Sequence, residues 1–377
     1  MHIRTVRLYQ LNIPFTRNVS HSLFSRNSTD SLIIEITDEK GTTGYGEGAP
    51  RDYVTGETMA AAGKQAQVLA GVLLTERFDS FDTLLGILKE MQTMGIHQPA
   101  AFCALETALL DLLSCRHKIP AWQLFNRPRN ETPPVYSAVI PIMSERQGLT
   151  QMVGLIRSLA LTQVKVKVSN DLSDIGHLKF LRDTLGPRVD IRVDANGAFD
   201  VESTESFLKK SRGLNISSLE QPVPKDDLMA LSHVAKISDI PIIADESFYA
   251  GQGPDDFIRN RYCHGINFRI SSCGGFINTL HLWELARAAG LRCQLGAHVG
   301  ETALLSMAGR HFSTICSDVY HLEGSISKYL LKADLGLKDI SFGKGGVAPP
   351  NDAYGWGVSV AEKILKEYGR LVFSAGD

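Results

Sequence analysis

The stretch QVKVKVSN, residues 163–170, alternates valine and lysine with a strict period of two. In a β-strand, residues two apart share a face, so the three valines lie on one face and Lys165 and Lys167 on the other. If the lysine face meets solvent, this is an ordinary half-buried edge strand. If it faces the interior, two ammonium groups lie side by side where each costs free energy, and something must compensate them.

Outward from this stretch, strands and amphipathic helical segments alternate from about residue 134 onward. The eight candidate strands are PVYSAVIP, VKVKVS, VDIRVDAN, ISSLEQP, PIIADES, GINFRIS, RCQLGAH and YHLEGS. This alternation predicts an α/β fold with a closed (β/α) barrel, because an open doubly wound sheet usually has fewer strands. The glycine cluster GYGEG (44–48) is not followed by a suitably spaced helix, which excludes a dinucleotide-binding fingerprint.

The part of the chain before the barrel indicates an α+β arrangement. Alternation over residues 3–13 and two strands joined by a turn within 31–48 come first. Helical patterns rich in alanine and leucine follow at 57–74 and 100–115. These elements predict a first domain that ends near residue 130, before the barrel domain of residues 131–344.

Two long polar loops, at residues 16–30 and 46–57, interrupt this first domain. Between them they carry Arg17, His21, Arg26, Arg51 and Tyr53. The loops are either solvated connections or covers of a binding site. In the second case their arginines would bind a second anionic or polar group of a substrate, together with His21 and Tyr53.

Composition excludes several classes of function. The formal net charge of the 377 residues is −2, and no long run of either sign indicates a partner such as a nucleic acid or a membrane surface. The six cysteines are scattered without a C-x-x-C pair, which favours reduced thiols in a cytoplasmic protein over disulfides or a zinc site. No apolar run approaches 18 residues, so we expect no membrane span.

Titratable and polar side chains fall near the carboxyl ends of seven of the eight strands, where barrel enzymes build their sites. In strand order they are Lys165 and Lys167, Asp194 and Asn196, Glu220, Asp245 and Glu246, Arg269, His298, and Glu323. Three carboxylates of adjacent strands would converge and repel one another unless a cation or protonation neutralises them. An all-oxygen set favours Mg²⁺ before Mn²⁺ or Ca²⁺. The other reading is that Lys165, Lys167 and Arg269 pair with these acids and that no metal binds.

A divalent ion beside two lysines predicts chemistry on a carboxylate substrate. The ion and one lysine would hold the carboxylate oxygens, and the other lysine would take the proton of the adjacent carbon. The resulting enediolate needs strong electrostatic stabilisation. A lysine base must also be partly neutral near pH 7, and a neighbouring ammonium and a metal both lower its pKa.

The motifs KVKV, DAN, LEQP, ADES and SSCGG occur in this order on the predicted strands. Together they resemble the mandelate racemase and muconate lactonizing enzyme branch of the enolase superfamily, and the resemblance is closest to the muconate lactonizing type. It covers nearly the whole chain. It implies a modified TIM barrel, (β/α)7β, with an α+β capping domain to which residues 345–377 return. Homo-oligomers are common in this family, so we expect one here.

The resemblance also implies roles for individual residues. Asp194, Glu220 and Asp245 would bind Mg²⁺, with Lys167 as the acid/base and Lys165 as its electrostatic partner. Asn196 and Glu246 would orient these groups. Enolase-type sites are a known example of tuned bases, so this mechanism follows from the family and not from the spacing alone.

Two positions determine which reaction the resemblance implies. The muconate lactonizing type has a second catalytic lysine on the sixth strand, where this chain has Arg269, which stays protonated and is a poor base. His298 falls where mandelate-racemase-type members have a histidine base, but those members pair it with an aspartate on the sixth strand, where this chain has Ile266. His298 would therefore be an unpaired base, a hydrogen-bond donor to the substrate or a structural histidine. Glu323 would either bind a substrate oxygen, if protonated, or pair with a neighbouring cation.

With Lys167 as the one secure base, we expect an isomerase of the cycloisomerase kind or a syn-eliminating lyase. The alternatives are a racemase or epimerase with His298 as the second base, and a scaffold that has lost catalysis. The substrate stays open among sugar acids, amino-acid derivatives, dipeptides and muconate-like diacids.

Overall fold

The computed structural model describes residues 1–20, 25–95, 97–143, 146–171, 173–251, 253–348 and 351–376. Within them the strands are β1 (Ile3–Leu11), β2 (Pro14–Ser20), β3 (Ser25–Ser28), β4 (Ser31–Asp38), β5 (Thr43–Gly48), β6 (Ala138–Ile140), β7 (Gln163–Lys167), β8 (Asp190–Asp194), β9 (Ile216–Glu220), β10 (Ile242–Ala244), β11 (Gly265–Phe268), β12 (Arg292–Leu295) and β13 (Gly369–Gly376). The helices are α1 (Asp52–Thr55), α2 (Met59–Leu73), α3 (Phe81–Thr93), α4 (Pro99–His117), α5 (Arg146–Ser158), α6 (Asp174–Leu185), α7 (Val201–Lys210), α8 (Leu228–Ile237), α9 (Glu246–Tyr249), α10 (Pro254–Asn260), α11 (Phe276–Ala288), α12 (Ala303–Ile315), α13 (Ser327–Leu330) and α14 (Glu362–Tyr368).

The capping part is an antiparallel sheet in the order β13-β1-β4-β5, with α2 and α4 packed against it. The alternate glycines of β5 explain how close α4 lies. A Cβ atom at Gly46 would come within 2.1 Å of the backbone oxygen of Ala104, and one at Gly48 within 1.9 Å of that of Ala100. Glycine is required at these positions because any side chain would push the helix off the sheet.

The barrel is a curled parallel sheet in the order β12-β11-β10-β9-β8-β7-β6, which confirms the α/β fold class. The valines of β7 are buried, at 0% exposed for Val164 and 3% for Val166. The eighth predicted strand is not a full strand: within the described residues it is reduced to Leu322, which bridges Tyr136 on one side and Leu295 on the other. The residues after Leu322 turn away because Gly324 and Ser325 both have positive φ, at 105° and 51°.

Other elements depart from the prediction in detail. Part of the loop predicted at 16–30 forms a hairpin of β2 and β3, and α3 was not anticipated. At the far end of the chain, β13 adds to the edge of the capping sheet through antiparallel pairing with β1. No helix in the described ranges has the length and apolar character needed to cross a membrane.

Buried carboxylates of the capping part join it to the barrel. Glu47 accepts hydrogen bonds from the backbone N–H groups of Thr302 and Leu305, at the start of α12. Glu106 accepts one from the N–H of Ile277, at the start of α11, at 3.1 Å. A carboxylate is favourable at a helix N-terminus because the first N–H groups lack partners within the helix. These contacts hold the two barrel helices that follow the sixth and seventh strands.

Candidate active site

The two lysines of β7 face the inside of the barrel. Lys165 Nζ lies 3.1 Å from Glu220 Oε1, 3.3 Å from Asp194 Oδ2 and 2.7 Å from Glu323 Oε1. Lys167 Nζ lies 3.3 Å from Asp194 Oδ2 and donates to Asn196 Oδ1. The inward reading of the alternating stretch is therefore confirmed, and carboxylates of other strands compensate its ammonium groups.

Parallel register brings the acids to the same level. Lys167 lies beside Asp194 in the sheet, and Asp194 lies beside Glu220. Glu220 accepts hydrogen bonds from the side-chain amides of Asn267, at 3.0 Å, and Gln294, at 2.8 Å. All three carboxylates that were predicted to converge are fully buried.

Asn196 connects the lysine to a fourth acid. Its Oδ1 accepts the bond from Lys167, and its Nδ2 donates to Glu246 Oε1 at 3.0 Å. The backbone N–H of Asn196 donates to Asp194 Oδ1 at 3.0 Å. Its positive φ of 44°, which asparagine tolerates better than most residues, directs the chain back toward the site.

Arg269, directly after β11, binds Asp245 through two bonds. Its Nε donates to Oδ1 at 2.9 Å and its Nη2 to Oδ2. A third bond runs from Nη1 to the backbone oxygen of Ala297 at 2.7 Å. The guanidinium therefore occupies both oxygens of a predicted metal ligand, and burial of the pair makes this contact strong.

His298 lies at the mouth of the barrel after β12 and is 3% exposed. Its Nε2 is 2.8 Å from Ser272 Oγ, and its Nδ1 has no hydrogen-bond partner among the described residues. Burial, followed by the nearby charges of Arg269 and Arg51, lowers the pKa of His298 well below its usual value. The imidazole is therefore neutral in the absence of an anion beside it.

The prediction missed two residues of the site. Arg192, fully buried inside the barrel, donates to Glu323 Oε1 at 2.6 Å and to Ser137 Oγ at 2.7 Å. The period of two could have revealed it, because Arg192 shares the face of Asp194. Glu301 lines the cavity and accepts a bond from the backbone N–H of His298 at 2.7 Å. Burial raises the pKa of Glu301 to about 8, and no local pattern marked it.

Glu323 pairs with cations, as one of its two predicted readings required. Burial opposes its ionisation, but Lys165 and Arg192 outweigh that effect and lower the pKa of Glu323 to about 2. The same contacts act on the lysine: burial lowers the pKa of Lys165, yet Glu220, Glu323 and Asp194 together raise it above its usual value. Lys165 therefore keeps its proton, as its expected role of electrostatic partner requires.

The carboxylates repel one another strongly enough to change their protonation. Burial, and then the charges of Asp194 and Glu323, raise the pKa of Glu220 to about 7 despite Lys165. Burial, Asp245 and Asp194 raise the pKa of Glu246 to about 8. Glu246 Oε2 is buried and lacks a hydrogen-bond partner among the described residues, whereas Asp194 Oδ2 lies 3.3 Å from the ammonium groups of both Lys165 and Lys167.

These observations test whether a divalent ion fits. The unpartnered Glu246 Oε2 and the raised pKa values of Glu220 and Glu246 both indicate a site that would gain from an added cation, and the all-oxygen donors suit Mg²⁺. Within the described residues, however, no three His, Cys, Asp or Glu side chains are already grouped as metal ligands. The chemical type of these residues suits the ion. Arg269, however, binds Asp245, so the arrangement matches the alternative in which cations of the protein pair with the acids.

A cavity of about 370 Å³ opens onto these residues. Its polar side chains include Lys165, Lys167, Arg269, His298, Glu301 and Glu323. Much of the remaining lining is apolar. A cavity of this size holds a small organic molecule, and the cations at its end suit a carboxylate.

Most of the loop residues predicted to bind substrate lie elsewhere. Arg51 is 1% exposed and donates to the backbone oxygens of Asp30 (2.9 Å), Pro50 (2.8 Å), Thr29 (3.0 Å) and Val299 (3.1 Å). Arg26 pairs with Asp30 at 2.7 Å. Neither arginine lines the cavity, nor does Tyr53, whereas the exposed Arg17 does. His21 lies outside the described residues.

Comparison with known proteins agrees with this geometry. Residues 3–125 match the model of the mandelate racemase/muconate lactonizing enzyme N-terminal domain, and residues 149–364 match the model described as enolase C-terminal domain-like. The chain is 26% identical to the hydrophobic dipeptide epimerase of Enterococcus faecalis over 98% of both chains. It is 27% identical to the N-succinyl-L-Arg/Lys racemase of Bacillus cereus over 82% of this chain and 84% of the relative.

Solved structures show the same fold. The crystal structure of N-succinyl Arg/Lys racemase from Bacillus cereus matches with a TM-score of 0.90 and 25% identity, covering 100% of this chain and 99% of that one. The Enterococcus faecalis dipeptide epimerase, complexed with Mg and L-Leu-L-Tyr, has a TM-score of 0.87 at 24% identity over 95% and 100%. A muconate lactonizing enzyme from Pseudomonas fluorescens has a TM-score of 0.88 at 19% identity over 98% and 99%, which establishes a shared fold only.

Proposed function

Because the chain belongs to the mandelate racemase/muconate lactonizing enzyme family of the enolase superfamily, we propose that it is a Mg²⁺-dependent racemase or epimerase. It would move the proton α to the carboxylate of a small-molecule substrate. The sequence by itself favoured a cycloisomerase or lyase, with racemisation as the alternative. The relatives described above are named as epimerases and racemases, and they support the alternative better.

One observation carries the proposal: Lys167 and His298 line the same cavity from well-separated strands. Lys167 ends β7, and His298 follows β12. In the barrel these strands are separated by β6 and by the bridge at Leu322, so the two side chains approach the cavity from different sides. A racemase needs a proton acceptor on one face of the α-carbon and a donor on the other.

Arg269 does not serve as the second base because a guanidinium keeps its proton. His298 takes this role in the proposal. Its imidazole is neutral when the cavity is empty, and the charge of a bound carboxylate would raise its pKa toward the working range. Ser272 contacts Nε2 of the ring, and the side chain of Glu301 accepts a hydrogen bond from the backbone N–H of His298, whereas Nδ1 has no hydrogen-bond partner among the described residues.

Asp194, Glu220 and Asp245 would hold Mg²⁺, with Mn²⁺ as the second choice, and Asn196 and Glu246 would orient them. When bound, the ion would supply positive charge that stabilises the enediolate. Lys165 would add its ammonium, which Glu220, Glu323 and Asp194 keep protonated. Lys167 would abstract the proton on its side of the cavity, held in place by its bond to Asn196.

Solvent-deuterium exchange on each enantiomer of a carboxylic-acid library, followed by mass spectrometry with Mg²⁺ present, tests the proposal. We expect exchange from both enantiomers of a substrate. Lys167→Ala should abolish exchange from one enantiomer, and His298→Asn should abolish it from the other. His233→Asn, on the exposed surface of α8, is the matched control and should change neither rate.

Each alternative function predicts a different result of this experiment. Exchange from one enantiomer only, unaffected by His298→Asn, would indicate the cycloisomerase or lyase reaction. Full turnover after both Lys167→Ala and metal removal would rule out the mechanism. No exchange with any acid would favour the catalytically silent scaffold.

Two further expectations belong to this proposal. A cytoplasmic location rests on the six cysteines, all of which are free. A homo-oligomer rests on the family resemblance alone, and measurement of the mass in solution by light scattering tests it.

A further inference from the structure

The cavity reaches both sides of the first barrel strand. Lys165 and Lys167 lie inside the barrel, whereas Met152 and Leu155 belong to α5, the helix that follows β6 on the outside, and Leu159 comes directly after that helix. One edge of β6 is closed by its pairing with β7 over Ala138–Ile140. The lining also includes Gly324 and Ser325, which follow the remnant of the eighth strand, so the cavity borders the other edge of β6.

That edge is open for a local reason. Among the residues that the structure describes, the eighth strand pairs with the first only at Leu322, which bridges Tyr136. Gly324 and Ser325 then turn the chain away with positive φ, so no strand continues beside β6. Phe342 lines the cavity as well, and its N–H donates to the backbone oxygen of Ser325 at 2.9 Å. We call the part of the cavity beyond this edge the seam pocket, lined by Met143, Met152, Leu155, Leu159, Leu161, Ser306 and Phe342.

The seam pocket is largely apolar, unlike the end of the cavity that contains Lys165 and Lys167. Met152 and Leu155 lie three positions apart on one face of α5, and Leu159, directly after the helix, lies four positions further along the chain. The only polar side chain of the seven is Ser306, and none of them is titratable. A charged group placed there would lose its hydration without a titratable partner among these seven residues.

From this we infer the substrate class of the proposed racemase, an inference that rests on the proposed function. The substrate is a carboxylic acid whose second substituent is an uncharged apolar chain. The carboxylate lies at the lysines, and the chain passes the seam into the space under α5. Each methylene group buried there would raise affinity by about four-fold.

Three acids of equal length test this inference by isothermal titration calorimetry on the Mg²⁺-supplemented protein: octanoate, suberate and 8-aminooctanoate. They differ only at the far end, which is a methyl group, a carboxylate or an ammonium group. We expect octanoate to bind at least about ten-fold more tightly than either of the others. Equal or tighter binding of suberate or 8-aminooctanoate, or no binding of octanoate, overturns the inference.

Variants of α5 locate the effect. Leu155→Asp should reverse the preference in favour of 8-aminooctanoate, and Gln151→Asp, which adds the same charge at an exposed position of the same helix, should not. Leu155→Trp, which fills the pocket without adding charge, should weaken octanoate and leave acetate unchanged. If both Leu155 variants keep the wild-type preference, the apolar chain of the ligand does not enter the seam pocket.

Binding is measured without turnover, so octanoate binding without any α-proton exchange would contradict the proposed function and not this inference.

Discussion

Arg269 and Asp245 form a two-pronged ion pair at the centre of the site, with Nε bound to Oδ1 at 2.9 Å and Nη2 bound to Oδ2. Both oxygens of a proposed metal ligand are therefore already occupied by a cation of the protein itself. A lysine at this position would reach only one oxygen at a time because its ammonium is a point charge. Arginine at this position therefore does more than remove a possible base: it also places a positive charge on a proposed metal ligand.

We predict that Arg269→Lys binds Mn²⁺ more tightly than the wild-type protein, by roughly ten-fold, because Asp245 is partly released while the local charge is unchanged. Titration of the substrate-free protein, followed by electron paramagnetic resonance of free Mn²⁺, measures the affinity. Arg192→Lys is the matched control, since Arg192 is also buried in the barrel but binds Glu323. Equal Mn²⁺ affinities of wild type and Arg269→Lys would show that Arg269 does not compete with the metal.

The buried pair of Arg192 and Glu323 should show strong non-additivity. Arg192→Met leaves Glu323 with one cation fewer in a fully buried place, and we expect it to lower the free energy of unfolding by about 3–5 kcal/mol. The double variant Arg192→Met/Glu323→Leu removes both charges and should recover most of that loss. Urea unfolding of the four proteins of this cycle measures the coupling. A double variant that is less stable than both single variants would contradict the prediction.

Glu106 should make stability depend on pH. Burial raises its pKa from 4.5 to about 8 in the folded protein. Between these values the folded state holds a proton that the unfolded state has lost, so this stabilisation is complete below pH 4.5 and declines as pH rises toward 8.

Glu106→Gln keeps an acceptor for the N–H of Ile277 but does not titrate. Its unfolding free energy should therefore fall less steeply over this window, by at most about 1.4 kcal/mol per pH unit. Guanidinium unfolding at several pH values measures the two slopes, and Glu90→Gln on the exposed face of α3 serves as control. Identical slopes for wild type and Glu106→Gln would show that Glu106 is ionised in the folded state.

We predict that Arg51 contributes to the stability of the fold and does not bind a charged group of the substrate. Its guanidinium donates to four backbone oxygens, one of them that of Val299 beside His298. Arg51→Lys cannot satisfy all of them, and we expect a loss of about 1–3 kcal/mol in thermal or chemical unfolding. The ratio of octanoate to suberate affinity should not change. A selective loss of suberate binding would show instead that Arg51 binds an anionic group of the ligand.

Much of the fold and part of the site were predictable because they depend on local periodicity. Alternation identified β7 and placed its lysines inside the barrel, and the same rule applied to β8 would have placed Arg192 there. The family motifs also located the acids at the strand ends. The hairpin of β2 and β3 escaped prediction because its polar residues do not alternate. Glu301 escaped because nothing near it in the chain marks a buried acid.

The sequence by itself determined which residues share a face of each strand, because that depends only on their parity. The family motifs then implied that two lysines, an arginine and several carboxylates meet inside a barrel. Only the tertiary structure decided how they pair, because the partners lie on strands far apart in the chain and compete over differences of an ångström or less. In the folded protein Asp245 pairs with Arg269, and Glu323 pairs with Arg192 and Lys165. His298 Nδ1 has no hydrogen-bond partner among the described residues.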